Sequence, residues 1–120
     1  MGRGNMLEVV KFLNPYWDDS LKLSYLQRRI LVNSFIYYGL NDNIVSDAKY
    51  EGYVKQYMGL KNKASAADFE ASKYAYAFRD FEGSTGFYLY NRLKEEDKEQ
   101  IAKVAYVVLK CYRKDKGFSK

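Results

Sequence analysis

Apolar residues recur along the chain at three- and four-residue intervals, and strict apolar–polar alternation is scarce. That periodicity predicts helices rather than strands. Residues 5–13 form a short amphipathic segment ending at Asn14-Pro15, because a residue before proline disfavours helical angles. Tyr16 and Trp17 are placed to anchor that turn. A long helix capped by Ser20 is expected to reach Leu40, with Leu23, Leu26, Ile30, Val32, Phe35 and Ile36 on one face. Gly39 and Asn41-Asp42-Asn43 end it, being residues that tolerate turn conformations.

Ser46-Asp47 opens the next helix, a capping hydroxyl followed by an acid at the positive helix end. It is expected to run to Met58 and stop at Gly59, with a polar connection over Lys61 to Ala64. Ser65, with Asp68 three residues on, caps a further helix through Ala77. Asp80 to Phe87 reads as a glycine-containing loop, residues 87–93 as a short helix and residues 95–114 as the last long one. Acids at its start and bases at its end suit the helix dipole. Its expected docking stripe is Ile101, Val104, Ala105, Val108 and Cys111 or Tyr112. The fold class is therefore all-α, a compact bundle of four to five helices with a central antiparallel hairpin. Residues 1–120 form one domain and 110–120 a basic C-terminal end.

Composition refines this picture. The 120 residues correspond to one domain, and 48% hydrophobic content is enough for a core. The 13 tyrosines either pair their hydroxyls at wet core edges or present an aromatic surface. Histidine is absent and Cys111 is the single cysteine, which argues against a zinc site, a catalytic histidine and an internal disulfide. Cys111 sits in an apolar stretch and reads as buried filler. A net charge of +5 permits contact with phosphate, nucleic acid or an acidic protein surface and requires none of them. No apolar run is long enough to span a membrane, and Met1 to Asn5 does not look like a signal peptide. The expected location is the cytoplasm of a bacterium or a phage-infected cell.

The stretch with most chemical content is Tyr37-Tyr38-Gly39-Leu40-Asn41-Asp42-Asn43-Ile44-Val45-Ser46-Asp47-Ala48-Lys49-Tyr50-Glu51. It is a helix end, a tight turn and a capped helix start. Two antiparallel helices would bring Tyr37, Tyr38, Asp47 and Tyr50 to one pocket, with aromatic faces for a flat ring and a carboxylate for a ribose hydroxyl or an amide. A pyridinium cation is attracted to both.

This stretch resembles the N-terminal Ia domain of bacterial NAD-dependent DNA ligases, in which a Tyr-Tyr or Tyr-His pair, a turn and Ser/Pro-Asp-x-Glu-Tyr-Asp follow one another. The resemblance covers residues 26–57. It places Tyr37 and Tyr38 on the aromatic pair, Asp47 and Tyr50 on the family's aspartate and tyrosine, and Glu51 where the family has aspartate. Asn41, Asn43 and Lys49 depart from the family's aspartate, proline and glutamate. The resemblance implies binding of nicotinamide mononucleotide or NAD at Tyr37, Tyr38, Asp47, Tyr50 and Glu51. The Lys-x-Asp-Gly adenylation motif is missing, as are the zinc-finger and helix-hairpin-helix parts. A stand-alone, non-catalytic relative is implied, of the kind encoded by phages or mobile elements of Gram-positive bacteria.

Plainer readings stand beside these. Tyr37 and Tyr38 also suit packing at a helix end, Asp47 suits a dipole role alone, and Tyr50 and Tyr53 suit packing against the preceding helix. Gly83-Ser84-Thr85-Gly86 offers backbone N–H groups to a phosphate but lacks the lysine of a phosphate loop. Arg28 and Arg29 face different sides of a helix, and an exposed arginine there is the ordinary case. The aromatics Tyr74, Tyr76, Phe78, Phe81, Phe87, Tyr88 and Tyr90 build either a core or an exposed patch suited to a protein partner. The rival function is accordingly a phage-type interaction protein that inhibits or modulates a host protein or defence system. Weak, salt-dependent nucleic-acid contact through the basic end is a third reading. No nucleophile–base pair or paired carboxylates suggest an enzyme.

Overall fold

In the computed structural model, which describes residues 16–39, 47–83 and 88–115, the centre of the molecule is one helix, α1 (Asp19–Ser34). Side chains are described for these residues except 38–39, 47–49 and 112–115. From Ile30 to Ser34 every residue of α1 is buried, the mark of a helix covered on all sides. Its cap is Asp18 rather than Ser20. The Asp18 carboxylate accepts the Leu21 N–H at 2.9 Å and the Ser20 hydroxyl at 2.8 Å. Asp18 holds the extended backbone a cap requires, and Ser20, already inside the first turn, supports it. Trp17 meets the Tyr25 ring at 5.8 Å in a tilted arrangement, whereas Tyr16 is exposed.

At Phe35 the α-helical pattern gives way to a π-turn, Phe35–Gly39, instead of continuing to Leu40. Phe35 lies 4.7 Å from the Tyr90 ring and edge-on to Tyr106 at 6.3 Å, while Ile36 enters the core. The segments 1–15, 40–46 and 84–87, and with them the expected N-terminal helix and most of the glycine loop, lie outside the described residues.

Helix α2 (Asp47–Lys63) passes straight through Gly59, where a stop was expected. A β-carbon on Gly59 or on Gly52 would meet nothing within 4 Å, so neither position needs glycine. The helix persists because its end is still held. Leu60 packs on the core, and Lys61 Nζ donates to the Phe78 and Phe81 carbonyls at 3.4 and 3.5 Å.

Ser65 caps α3 (Ala66–Ala71) by accepting the Asp68 N–H at 3.1 Å, as the spacing predicts. The helix does not reach Ala77. It breaks at Ser72 and resumes only as α4 (Ala75–Phe78). The cause lies on α1. Gln27 is fully buried, and its Nε2 donates to Ser72 Oγ (2.9 Å) and Tyr57 Oη (3.2 Å) while its Oε1 accepts the Tyr74 N–H (3.0 Å). Ser24 Oγ accepts the Lys73 N–H at 2.8 Å. The N–H groups of Lys73 and Tyr74 therefore go to α1 rather than into a helix of their own, while the Ser72 N–H closes α3 on the Phe69 carbonyl.

After the 3-10 turn Tyr90–Arg92 comes α5 (Glu95–Asp115). Tyr76 holds its start, accepting the Lys94 N–H at 3.0 Å and donating to Asp97 at 2.5 Å. Ile101, Ala105 and Leu109 form the buried line, with Val104 beside it. The expected stripe is thus partly wrong. A four-residue step from Ile101 leads to Ala105 and Leu109, which leaves Val108 and Cys111 at the edge, so Cys111 is a surface thiol and not core filler. Tyr57, Phe78 and Phe81 meet ring to ring at 5.2–6.2 Å, so this part of the aromatic-rich segment builds core. Among the described residues no helix is long and apolar enough to cross a membrane.

Two measurements check this account. Gln27→Leu strands the Tyr74 N–H and the buried Tyr57 hydroxyl, while Ser72 Oγ keeps its bond to the Phe69 carbonyl, and is expected to lower the unfolding free energy by about 2–4 kcal/mol in urea titrations. Gly52→Ala and Gly59→Ala remove mid-helix glycines from open positions, and each is expected to raise stability by about 0.5–1 kcal/mol.

Candidate functional site

Three tyrosines on α2, Tyr50, Tyr53 and Tyr57, are spaced three and four apart and share one face of the helix. Each hydroxyl meets a polar group of α1. Tyr50 Oη and Ser34 Oγ share a hydrogen bond at 3.1 Å, Arg29 Nη2 donates to Tyr53 Oη, and Gln27 Nε2 donates to Tyr57 Oη. Later positions on α2 meet earlier ones on α1, so the two helices run antiparallel. The expected central hairpin is present, and its head joins the π-turn to the start of α2.

At that head the structure describes three of the five expected binding residues. Tyr37 stands on the π-turn with 43% of its surface exposed. Tyr50, at the start of α2, is half-buried, with its hydroxyl turned onto Ser34 and its ring against the core. Glu51 is exposed beside it. Tyr38 and Asp47 belong by backbone to the π-turn and to the first position of α2, and their side chains lie outside the described residues. The second expected contact, the glycine loop, contributes Gly83 in a left-handed conformation (φ 91°), and its Ser84 to Gly86 also lie outside.

The charges near the hairpin divide as the sequence suggests. Arg28 faces solvent, whereas the Arg29 guanidinium sits 4.6 Å over the Tyr53 ring and 5.8 Å over the Tyr25 ring. Arg29 is thus part of the helix–helix contact. Burial pushes the Tyr25 phenol up, and Arg29 opposes that rise. Sequence reading missed the polar groups on α1, Gln27, Arg29 and Ser34, which receive the three phenols. The available signal was a set of tyrosines at helical spacing on one helix facing polar residues seven positions apart, 27 and 34, on an otherwise apolar one. The π-turn carries no comparable signal.

Among the described residues no group of three acidic or cysteine side chains could hold a metal ion. No protein-family model matches the chain, and neither a curated protein nor a solved structure does.

The buried end of the tyrosine row has a measurable signature. Burial raises the Tyr57 phenol from about 10 to about 12, partly offset by the Gln27 hydrogen bond. The unfolded chain releases that proton near its ordinary value and the folded chain holds it longer. Stability is therefore complete below about pH 10 and falls as pH rises from about 10 to 12, by about 2–3 kcal/mol for this group. Denaturant titrations across that window, paired with tyrosinate absorbance, should show a loss in wild type that is smaller by the Tyr57 share in Tyr57→Phe, the rest coming from other raised phenols, Tyr76 foremost.

Proposed function

We propose that the chain is a non-catalytic binding module for nicotinamide mononucleotide or NAD, related to the Ia domain of NAD-dependent DNA ligases and encoded by a phage or mobile element. The head of the hairpin is the site, with Tyr37, Tyr38, Asp47, Tyr50 and Glu51 as its residues. One observation carries this reading. The Tyr50–Ser34 hydrogen bond clamps the acidic start of α2 onto the end of α1, directly before the turn that exposes Tyr37. An exposed aromatic ring, Tyr37, and an exposed carboxylate, Glu51, on the two limbs of one hairpin end suit a flat, cationic pyridinium. The π-turn itself is the kind of helix irregularity often retained at functional positions. The roles of Tyr38 and Asp47 come from the resemblance alone. In this reading Tyr37 and Tyr38 offer ring faces to the nicotinamide, Asp47 and Glu51 complement its charge and its ribose hydroxyls, and Tyr50 fixes the position of α2. The module holds the nucleotide and performs no adenylation, and its place is the cytoplasm.

A second reading is surface binding that inhibits or modulates a host protein. The favouring observation is on α5, where Tyr106 and Val107 are 56% and 60% exposed. Aromatic anchors of this kind dominate interface energies.

Calorimetric and chemical-shift titration with nicotinamide mononucleotide and NAD tests the first reading. Binding is expected with shifts at residues 37–51, and Tyr37→Ala or Glu51→Gln should weaken it by about tenfold with the melting temperature unchanged. Absence of heat and of shifts at millimolar ligand removes the nucleotide reading. A stoichiometric host complex that survives Tyr37→Ala and is lost in Tyr106→Ala would establish the second.

A further inference from the structure

On the side of α1 away from the tyrosine row lies a cleft of about 320 Å³, between α1, the turn at 73–74 and the first turns of α5. Its size is at the lower end of small-molecule sites. Two cations come from one wall. Arg28 projects from α1, and Lys73 is held next to it because its N–H is fixed to Ser24 Oγ, one turn before Arg28. Two carboxylates, Glu96 and Asp97, come from the first turn of α5. The four charges sum to zero, yet they are sorted by element, cations on one side and anions on the other. Lys73 Nζ and Asp97 approach only to 3.9 Å, a loose pair with Lys73 largely exposed. The apolar lining is Ile101 and Val104.

Tyr74 provides an independent observation. Its side chain is 98% buried, lines the cleft and makes no hydrogen bond through its hydroxyl to another described residue. That phenol feels the charges of both Arg28 and Asp97, one from each wall. The ring is in the core, while the hydroxyl tip stays open to the cleft and is free to donate to a ligand there. A ligand acceptor placed between the walls would take the place of solvent at that hydroxyl. Asp97, also nine-tenths buried, is fixed in direction by the Tyr76 hydroxyl, which binds one carboxylate oxygen and leaves the other toward Lys73.

We propose that this cleft binds a small zwitterion of the amino-acid class with an apolar side chain. Its carboxylate lies between Arg28 and Lys73 and accepts the Tyr74 hydroxyl proton, its ammonium faces Asp97 and Glu96, and its side chain covers Ile101 and Val104. A neutral but dipolar ligand matches a site of zero net charge and opposed walls. A simple anion or cation would satisfy one wall and be repelled by the other. The site is separate from the hairpin head and does not depend on the nucleotide reading.

Chemical-shift titration of the full chain with free leucine, N-acetyl-leucine and leucinamide tests it, the latter two each lacking one charge. Leucine at millimolar concentration should move the amides of 73–74 and 96–101, and both derivatives should bind at least about tenfold more weakly. Tyr74→Phe should weaken leucine binding severalfold with the fold intact. Because Tyr74 is in the core, the exposed Glu96→Gln gives a second check and should weaken leucine binding while leaving N-acetyl-leucine unaffected. No shift at millimolar leucine, equal affinity for the singly charged derivatives, or leucine shifts confined to residues 37–51 would overturn the proposal. Nicotinamide mononucleotide run in parallel should move residues 37–51 and leave the cleft unmoved. Its seating in the cleft in place of leucine would also overturn the assignment.

Discussion

The arrangement of this bundle depends on one buried amide. Gln27 sits in the middle of the central helix with no access to water, where an unpaired amide would be severely destabilising. It is tolerable because three elements bring it partners: a phenol from α2, a hydroxyl from the end of α3 and a backbone N–H from the turn before α4. Apolar contacts alone are non-directional and would allow the short helices to settle in several ways. The amide accepts one arrangement. It fixes where α3 ends, which in turn fixes the path of residues 72–74 and the position of Lys73 and Tyr74 beside α5.

The same interaction explains what could and could not be read from the chain. Element existence was legible, because three- and four-residue periodicity and short polar caps are local. The Ser65–Asp68 cap, the antiparallel hairpin and the last helix all follow from neighbours in sequence. The errors are long-range. A helix from Ser65 to Ala77 is sound by local preference and is broken by a glutamine more than forty residues away. Gly59 looked like a stop because glycine often is one, but Lys61 and Leu60 are held by the aromatic core beyond it. Cys111 looked buried because its neighbours are apolar, while the angular position of Ile101 set the buried line elsewhere.

At the hairpin head, residue types and spacing gave the sequence reading its content, and the antiparallel approach of the helices joins the two ends that carry them. The π-turn was not legible. It depends on how Phe35 meets Tyr90 and Tyr106, residues far along the chain. The cleft between α1 and α5 was equally invisible. Arg28, Lys73, Tyr74 and Asp97 are ordinary surface or core residues in sequence and acquire a shared setting only through the Gln27 and Tyr76 contacts.

The row of phenols on α2 has a consequence for how the two long helices can move. Each one meets a chemically different receiver on α1: a hydroxyl, a guanidinium and an amide. Sliding one helix past the other by a turn, about 5.4 Å, would mismatch all three at once. A purely aliphatic seam would let the helices creep along each other, whereas this one works like a key in a lock with unequal teeth. A ligand at the head of the hairpin, as proposed, would meet a frame whose register is set beforehand, so ordering that frame would add little to the entropy cost of binding.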